Sequence, residues 1–319
     1  MTAVVAPNDP STGELRRGRL LVLAAALMWS TSGLFLKSPP LAALAGDFSG
    51  PLIACFRALI AGALLAPLVR WKRARFRSAL IPMMLTFSAM NVLFITSMTL
   101  TTAAAAIFLQ YTGIVWAAVL GTMVLGERLD RGGVVAAGCA LVGICWIVAS
   151  AGSGQMAGTL IGLASGLSYG GVVLALRYLR EEDSSWLVLL NLSASGLVLL
   201  PWVLPLRMSL SGSQWALIVL LGVFQMGVPY LLFAGGVRYL RSQEASLLCL
   251  IEPVLNPLWV WLAWGERVES AVLAGGACIL LGLGLRYTLF ARPPVPVRVP
   301  YRAAPGETSP AGEPAGTSD

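Results

Sequence analysis

The residues best placed to do chemistry lie in one apolar stretch, Ala245 to Trp264, ASLLCLIEPVLNPLWVWLAW. As a helix rising 1.5 Å per residue, these twenty residues cross about 30 Å of hydrocarbon. Glu252 is the only charge in the stretch and sits near its middle. A carboxylate at mid-membrane costs about 3 kcal/mol and is a functional-site candidate by default. Such a group can carry a proton or a cation, or stand opposite a bound amine. Pro253 follows at once and Asn256-Pro257 comes four residues later. Each proline removes a backbone donor, so carbonyls near 249 and 253 lose their partners. In lipid that defect survives only against other helices or a water-filled cavity. Glu252, Asn256 and Trp259 share one helical face at i, i+4 and i+7, and the face reads as one wall of a polar cavity.

A second charge, Arg57, lies six residues inside another apolar stretch. It either snorkels to the interface or stacks on an aromatic ring, or it pairs with Glu252 or with a bound carboxylate. The remaining polar groups inside apolar runs are Trp29, Ser32, Asn91, Gln110, Tyr111, Ser165, Tyr169, Asn191, Gln225 and Tyr230. In hydrocarbon their default role is interhelical hydrogen bonding. Trp29, Gln110, Tyr169, Tyr230 and Asn256 are the expected lining of the cavity. Asn91 and Arg57 complete the candidate set around Glu252.

The elements that must position these groups are membrane helices. The chain is 57% hydrophobic and 12% charged, with mean hydropathy +0.79, where a soluble domain is about 25% charged. Apolar runs recur near 20–36, 51–69, 79–98, 103–125, 133–149, 157–176, 186–204, 215–235, 245–264 and 271–289, which predicts ten helices. The polar residues fall on helices 1, 3, 4 and 6 to 9, and helices 5 and 10 are expected at the periphery. Residues 1–18 are expected as a cytoplasmic tail. Residues 290–319, rich in Pro, Gly and Ser, are expected as a disordered one. With the N-terminus inside, eighteen of the twenty-two lysines and arginines lie in inner segments and three, Lys37, Arg207 and Arg267, in outer ones. That bias predicts both termini in the cytoplasm and basic residues facing anionic headgroups, so the net charge of +7 does not point to nucleic acid.

Several chemistries are excluded or disfavoured. There is no histidine, hence no histidine base, relay or metal ligand. The five cysteines all fall in apolar runs and read as small buried hydrophobes. No catalytic motif, cofactor site, metal site or ATP-binding domain is recognisable, so the chain is expected not to be an enzyme.

The chain also repeats itself. Leu125-Gly126-Glu127-Arg128 and Trp264-Gly265-Glu266-Arg267 lie 139 residues apart, and at that offset Cys139 falls on Cys278, Gly143 on Gly282 and Leu93-Phe94 on Leu232-Phe233. At an offset of 140, Gly18-x-Leu20 falls on Gly158-x-Leu160 and Trp29 on Tyr169. Helices 1–5 therefore correspond to helices 6–10. Because five is odd, the halves cross the membrane in opposite senses. This gives an all-α integral membrane fold of ten transmembrane helices in two inverted five-helix repeats, 19–149 and 157–289, with a site at the repeat interface. Glu252-Pro253 corresponds to Gly113-Ile114, so the carboxylate exists in one half only. Gly158, Gly162, Gly166 and Gly170 form a stripe that lets another backbone approach. Glu127 and Glu266 are expected to cap or to pair with Arg128, Arg131 or Arg267.

The GER turns after helices 4 and 9, the Glu252-Pro253 break, Phe56-Arg57 in the second helix and the 5+5 layout together resemble the EamA family of the drug/metabolite transporter superfamily, over residues 19–289. The resemblance implies a carrier in the cell membrane, more often an exporter, for small polar or amphiphilic metabolites. Its partners would be a small-molecule substrate and the lipid bilayer, and a homodimer is compatible with it. Proton coupling through Glu252 is the expected mechanism. A facilitative carrier and a lipid or lipid-linked-sugar flippase are the alternatives. The family often has a proline where this chain has Ile114, which predicts a straighter fourth helix.

Overall fold

In the computed structural model, which describes residues 11–44, 49–69, 71, 74–126, 130–179, 182–206 and 209–290, every long apolar run is helical. Among the described residues ten helices are long and apolar enough to cross a membrane. They are α1 (Thr12–Leu36), α2 (Ser49–Leu68), α3 (Leu80–Leu100), α4 (Ala103–Val124), α5 (Arg131–Ser150), α6 (Met156–Tyr178), α7 (Ser184–Leu206), α8 (Gly212–Tyr239), α9 (Glu244–Trp264) and α10 (Ser270–Thr288). Large side chains on the outside are apolar, as at Leu141, Trp202 and Leu281. That is the surface a helix presents to lipid and not to water. The expected polar tails lie outside the described residues except for 11–18 and 290. Residues 12–18 are already helix. Ser11 Oγ accepts the Glu14 N–H at 3.3 Å and the Glu14 carboxylate accepts the Ser11 N–H at 2.8 Å, a capping box that starts α1 early.

The repeat is visible in the packing. Helices α1, α8 and α9 pack together, as do α4, α6 and α3. The pairs α2–α7 and α5–α10 join the two halves. Helices α5 and α10 cross where Gly143 and Gly275 each lie against the other's backbone carbonyl. Cys139 and Cys278, equivalent in the repeat, face one another across that seam. This pair stands away from the other helices except for contacts of α5 with α4 and α6 and of α10 with the first half of α4 and the start of α9. Of the five cysteines only Cys55 is buried, and Cys145 is exposed. The expectation of five buried cysteines fails because α5 and α10, which carry three of them, turn one side outward.

Helix α4 is broken, contrary to the expectation of a straighter helix. It consists of Ala103–Tyr111 and Gly113–Leu125, which meet at Thr112. No proline is needed there. The Thr112 hydroxyl donates to the Leu109 carbonyl, and such back-bonding competes with the helical ladder and bends it. Helix α9 breaks within one residue of the equivalent place, at Leu250, between Ser242–Cys249 and Ile251–Trp264. Helix α1 breaks at Ser30-Thr31, whose hydroxyls donate to the carbonyls of Leu27 and Met28 at 2.7 and 2.6 Å.

The glycine stripe of α6 is where α4 lies down. Gly158 faces Leu100, Gly162 faces Ser97 and Leu109, Gly166 faces Leu109 and Thr112, and Gly170 faces Trp116. The two GER glycines, Gly126 and Gly265, have φ of 66° and 67° and end their helices in the left-handed conformation that glycine adopts without a steric cost.

At the end of the bundle away from Thr12, Gly265 delivers Glu266 into a tie among three helices. The Glu266 carboxylate accepts the Ala103 N–H at 2.8 Å and pairs with Lys37 at 3.2 Å, and Lys37 also donates to the Thr101 carbonyl at 2.6 Å. Glu266 therefore pairs with Lys37 and not with an arginine of its own turn. Glu127 lies outside the described residues. The tie holds α1 and α9 to the start of α4, and the second half of α9 packs on the first half of α4 at this end. Glu266→Gln removes the charge of a partly buried pair worth about 1 kcal/mol. It is expected to raise labelling of a Ser32→Cys probe by a membrane-impermeant maleimide about fivefold. Unchanged labelling would show that this end does not open through the tie.

Candidate functional site

The two helix breaks face each other across the repeat interface, and the chemistry is built on them. Pro253 has no N–H, so the Cys249 carbonyl has no i+4 donor in α9. Tyr111, the last residue of the first half of α4, fills the gap. Its hydroxyl lies 2.9 Å from the Cys249 carbonyl and 2.7 Å from Glu252 Oε2. That hydroxyl has one proton and two acceptors within reach.

Glu252 keeps part of its surface accessible although it lies deep in the bundle. Tyr169 of α6 and Tyr230 of α8 are within electrostatic range of it. Neither of these hydroxyls has a hydrogen-bond partner among the described residues, and neither is sealed from solvent. Trp29 stands edge-on to Tyr230, with ring centroids 5.4 Å apart and an interplanar angle of 73°, and also contacts Phe233. One carboxylate, three tyrosines and a tryptophan, from α1, α4, α6, α8 and α9, thus cluster where the two breaks meet. Such a cluster can hold a proton on Glu252 and offers aromatic faces to an organic cation.

A second polar group lies beside it. Arg57 is 4% exposed and bonds only to neutral acceptors. Its Nε and Nη2 donate to Asn91 Oδ1, and its Nη1 donates to Gln225 Oε1 at 2.8 Å. The Asn91 amide nitrogen donates in turn to the Ala54 carbonyl at 3.1 Å and to Ser195 Oγ at 2.8 Å. Gln225 sits in a π-helical turn, Leu221–Gly227, inside α8. Pro229 supplies the cause, since it cannot donate to the carbonyl of residue 225, and π-turns are frequent at functional sites.

The structure divides the expected set. Glu252, Tyr169, Tyr230 and Trp29 come together, and Arg57 joins Asn91. Arg57 and Glu252 do not form an ion pair, because Arg57 is held by the amides of α3 and α8. Asn256 does not join the Glu252 cluster. It is fully buried, and its amide donates to Ser32 Oγ at 2.7 Å. Together with Trp259 to Ser30 at 2.9 Å and Trp264 to Leu34 at 2.7 Å, it fastens α9 to the broken end of α1. Gln110 makes no side-chain hydrogen bond among the described residues and does not join either group. Tyr111, Gln225 and Ser195 enter the site although sequence reasoning did not place them there. The pointer to Tyr111 is its repeat position, since 139 residues on from it lies Leu250, at the break of α9.

Comparison with known proteins agrees with this architecture. Residues 16–149 and 156–288 each match the EamA-like transporter family. A protein of Archaeoglobus fulgidus named "Uncharacterized transporter" is 32% identical over 184 residues, covering 57% of this chain and 66% of its own. The "Uncharacterized transporter YwfM" of Bacillus subtilis is 27% identical over 278 residues, covering 83% of this chain and 91% of its own. One solved protein structure, 19% identical, shares the fold with a TM-score of 0.60 over 86% of this chain and 98% of that one.

Proposed function

The chain belongs to the EamA-like transporter family, and on that premise we propose that it is a proton-coupled exporter of small polar or amphiphilic metabolites that works by alternating access. The observation that carries this reading is Glu252 at the junction of two broken helices, sharing Tyr111 with a carbonyl that Pro253 leaves open.

The geometry offers a coupling device. With Glu252 ionised, Tyr111 donates its proton to the carboxylate. When Glu252 takes up a proton, the carboxylic acid donates to the Tyr111 oxygen, and the tyrosine proton turns to the Cys249 carbonyl. The contact between α4 and α9 at their breaks therefore has two hydrogen-bond patterns, selected by one proton. A substrate amine or hydroxyl competes for the ionised form, so substrate and proton exclude each other, as antiport requires.

The lysine and arginine bias supports an orientation with both termini in the cytoplasm. The Lys37–Glu266 tie then closes the outer end. Rocking of α1, α8 and α9 against α3, α4 and α6 would exchange the open side, with the α6 glycine stripe holding α4 to α6 inside the second group.

The test is uptake into proteoliposomes with an acidic lumen, using labelled amino acids, nucleobases and quaternary amines. Gradient-dependent accumulation of one class supports the reading. Uptake indifferent to pH would indicate a facilitative carrier, and absence of uptake would favour a flippase. Tyr111→Phe removes a hydrogen bond worth about 1.5 kcal/mol and is expected to slow coupled uptake about tenfold while substrate binding persists. An unchanged rate would remove Tyr111 from the coupling device.

A further inference from the structure

We infer that Arg57 is an oxyanion subsite, which receives a carboxylate or a similar anionic group of the substrate while Glu252 holds the substrate's amine. The inference rests on the carrier reading above and names its substrate class, a small zwitterion.

Arg57 carries a charge that lacks a counter-ion among the described residues. The three ion pairs among the described residues are Arg19–Glu244, Lys37–Glu266 and Arg77–Glu182, and none involves Arg57. Arg57 is nevertheless buried. A tether between α2, α3 and α8 needs no cation, since neutral amides cross-link membrane helices at much lower cost in burial. The guanidinium has five N–H donors. Three serve Asn91 and Gln225. One donor on each terminal nitrogen is left without an acceptor among the described residues. A planar cation with donors to spare on both terminal nitrogens is suited to an oxyanion.

The group is also held rigid. Asn91 is fixed by Ala54 and Ser195, which aims its carbonyl oxygen at Arg57. Gly222 brings α8 onto α2, because a Cβ there would meet the Ile60 side chain at 2.7 Å and the Arg57 carbonyl at 3.0 Å. The π-turn then presents Gln225. Such preorganisation lowers the cost of binding.

Tyr230 connects this group to the carboxylate. It interacts electrostatically with both Arg57 and Glu252, and its hydroxyl has no protein partner among the described residues. A ligand lying along Tyr230 would meet a cation at one end and a carboxylate at the other. Protonation of Glu252 would remove the partner of the amine and leave the anionic end held alone, which weakens the zwitterion and favours its release.

The experiment uses the purified full chain with three matched sets of probes: amino acids, their methyl esters, and amino-alkyl phosphates. Thermal shift reports binding and proteoliposome uptake reports transport. Wild type is expected to favour the acids over the esters by about tenfold or more. Arg57→Gln is expected to bring the two within about twofold. The phosphates, compared with the acids, tell which oxyanion fits. Equal handling of acids and esters by wild type would overturn the inference even if both are transported, so it can fail while the carrier reading stands. A uniform loss of all probes in Arg57→Gln, with the protein folded, would make Arg57 a structural tether. Should no probe be transported, the wild-type thermal shift still decides: stabilisation by acids or phosphates and not by esters supports the subsite, and no difference rejects it.

Discussion

Glu252→Gln is expected to abolish accumulation of substrate against its gradient and to leave, at most, equilibration. For one-to-one exchange each unit of pH gradient supports about tenfold accumulation, since one unit corresponds to about 1.4 kcal/mol. The amide cannot change charge, so that ratio should fall to about one. Gln is nearly isosteric and still accepts the Tyr111 hydrogen bond through its carbonyl oxygen, so folding and the α4–α9 contact should survive. Counterflow, which needs no net proton movement, should weaken as well, because the neutral amide resembles the protonated carboxyl that does not hold the substrate amine. Pumping by Glu252→Gln equal to wild type would make the carboxyl a structural group.

The second large effect is on packing. Gly166→Leu is expected to destabilise the protein by about 2 kcal/mol or more, because even a Cβ at this position meets the backbone carbonyl of Leu109 and lies 2.5 Å from Thr112 Oγ1. These are the atoms that make the break in α4, and a carbonyl already bonded to Thr112 cannot move aside. The comparison is Gly138→Leu or Gly284→Leu, where a Cβ would meet nothing within 4 Å. Those variants should melt within a degree or two of wild type in detergent, on the scale of ordinary surface substitutions. A stable Gly166→Leu that still transports would mean that the close approach of α4 to α6 is not needed.

Parts of this molecule are legible in its sequence, and the reason differs from part to part. The ten spans and the repeat can be read because hydrophobic length and a constant offset are properties of the chain alone. The break in α9 can be read because Pro253 acts on its own carbonyl four residues back. The break in α4 cannot, because a threonine hydroxyl bends a helix only where tertiary packing favours the alternative bond, here against Gly166. The same holds for Ser30 and Thr31 in α1. Helical spacing places Glu252, Asn256 and Trp259 on one face, and it cannot say that Tyr111 stands opposite the first and α1 opposite the other two. The partners of Arg57 come from α3 and α8, 34 and 168 residues away, and no local pattern carries that pairing. Lys37 and Glu266 are similarly remote, and their pairing follows from the repeat bringing the end of α9 over the start of α4.

Exchange of a proton for substrate at Glu252 can be followed in proteoliposomes that hold a pH-sensitive dye in an acidic lumen. On addition of a transported member of the panel outside, the lumen is predicted to become less acidic in step with substrate entry, and not at all with Glu252→Gln. Substrate entry without a change in lumenal pH, or an equal change with Glu252→Gln, would contradict that exchange.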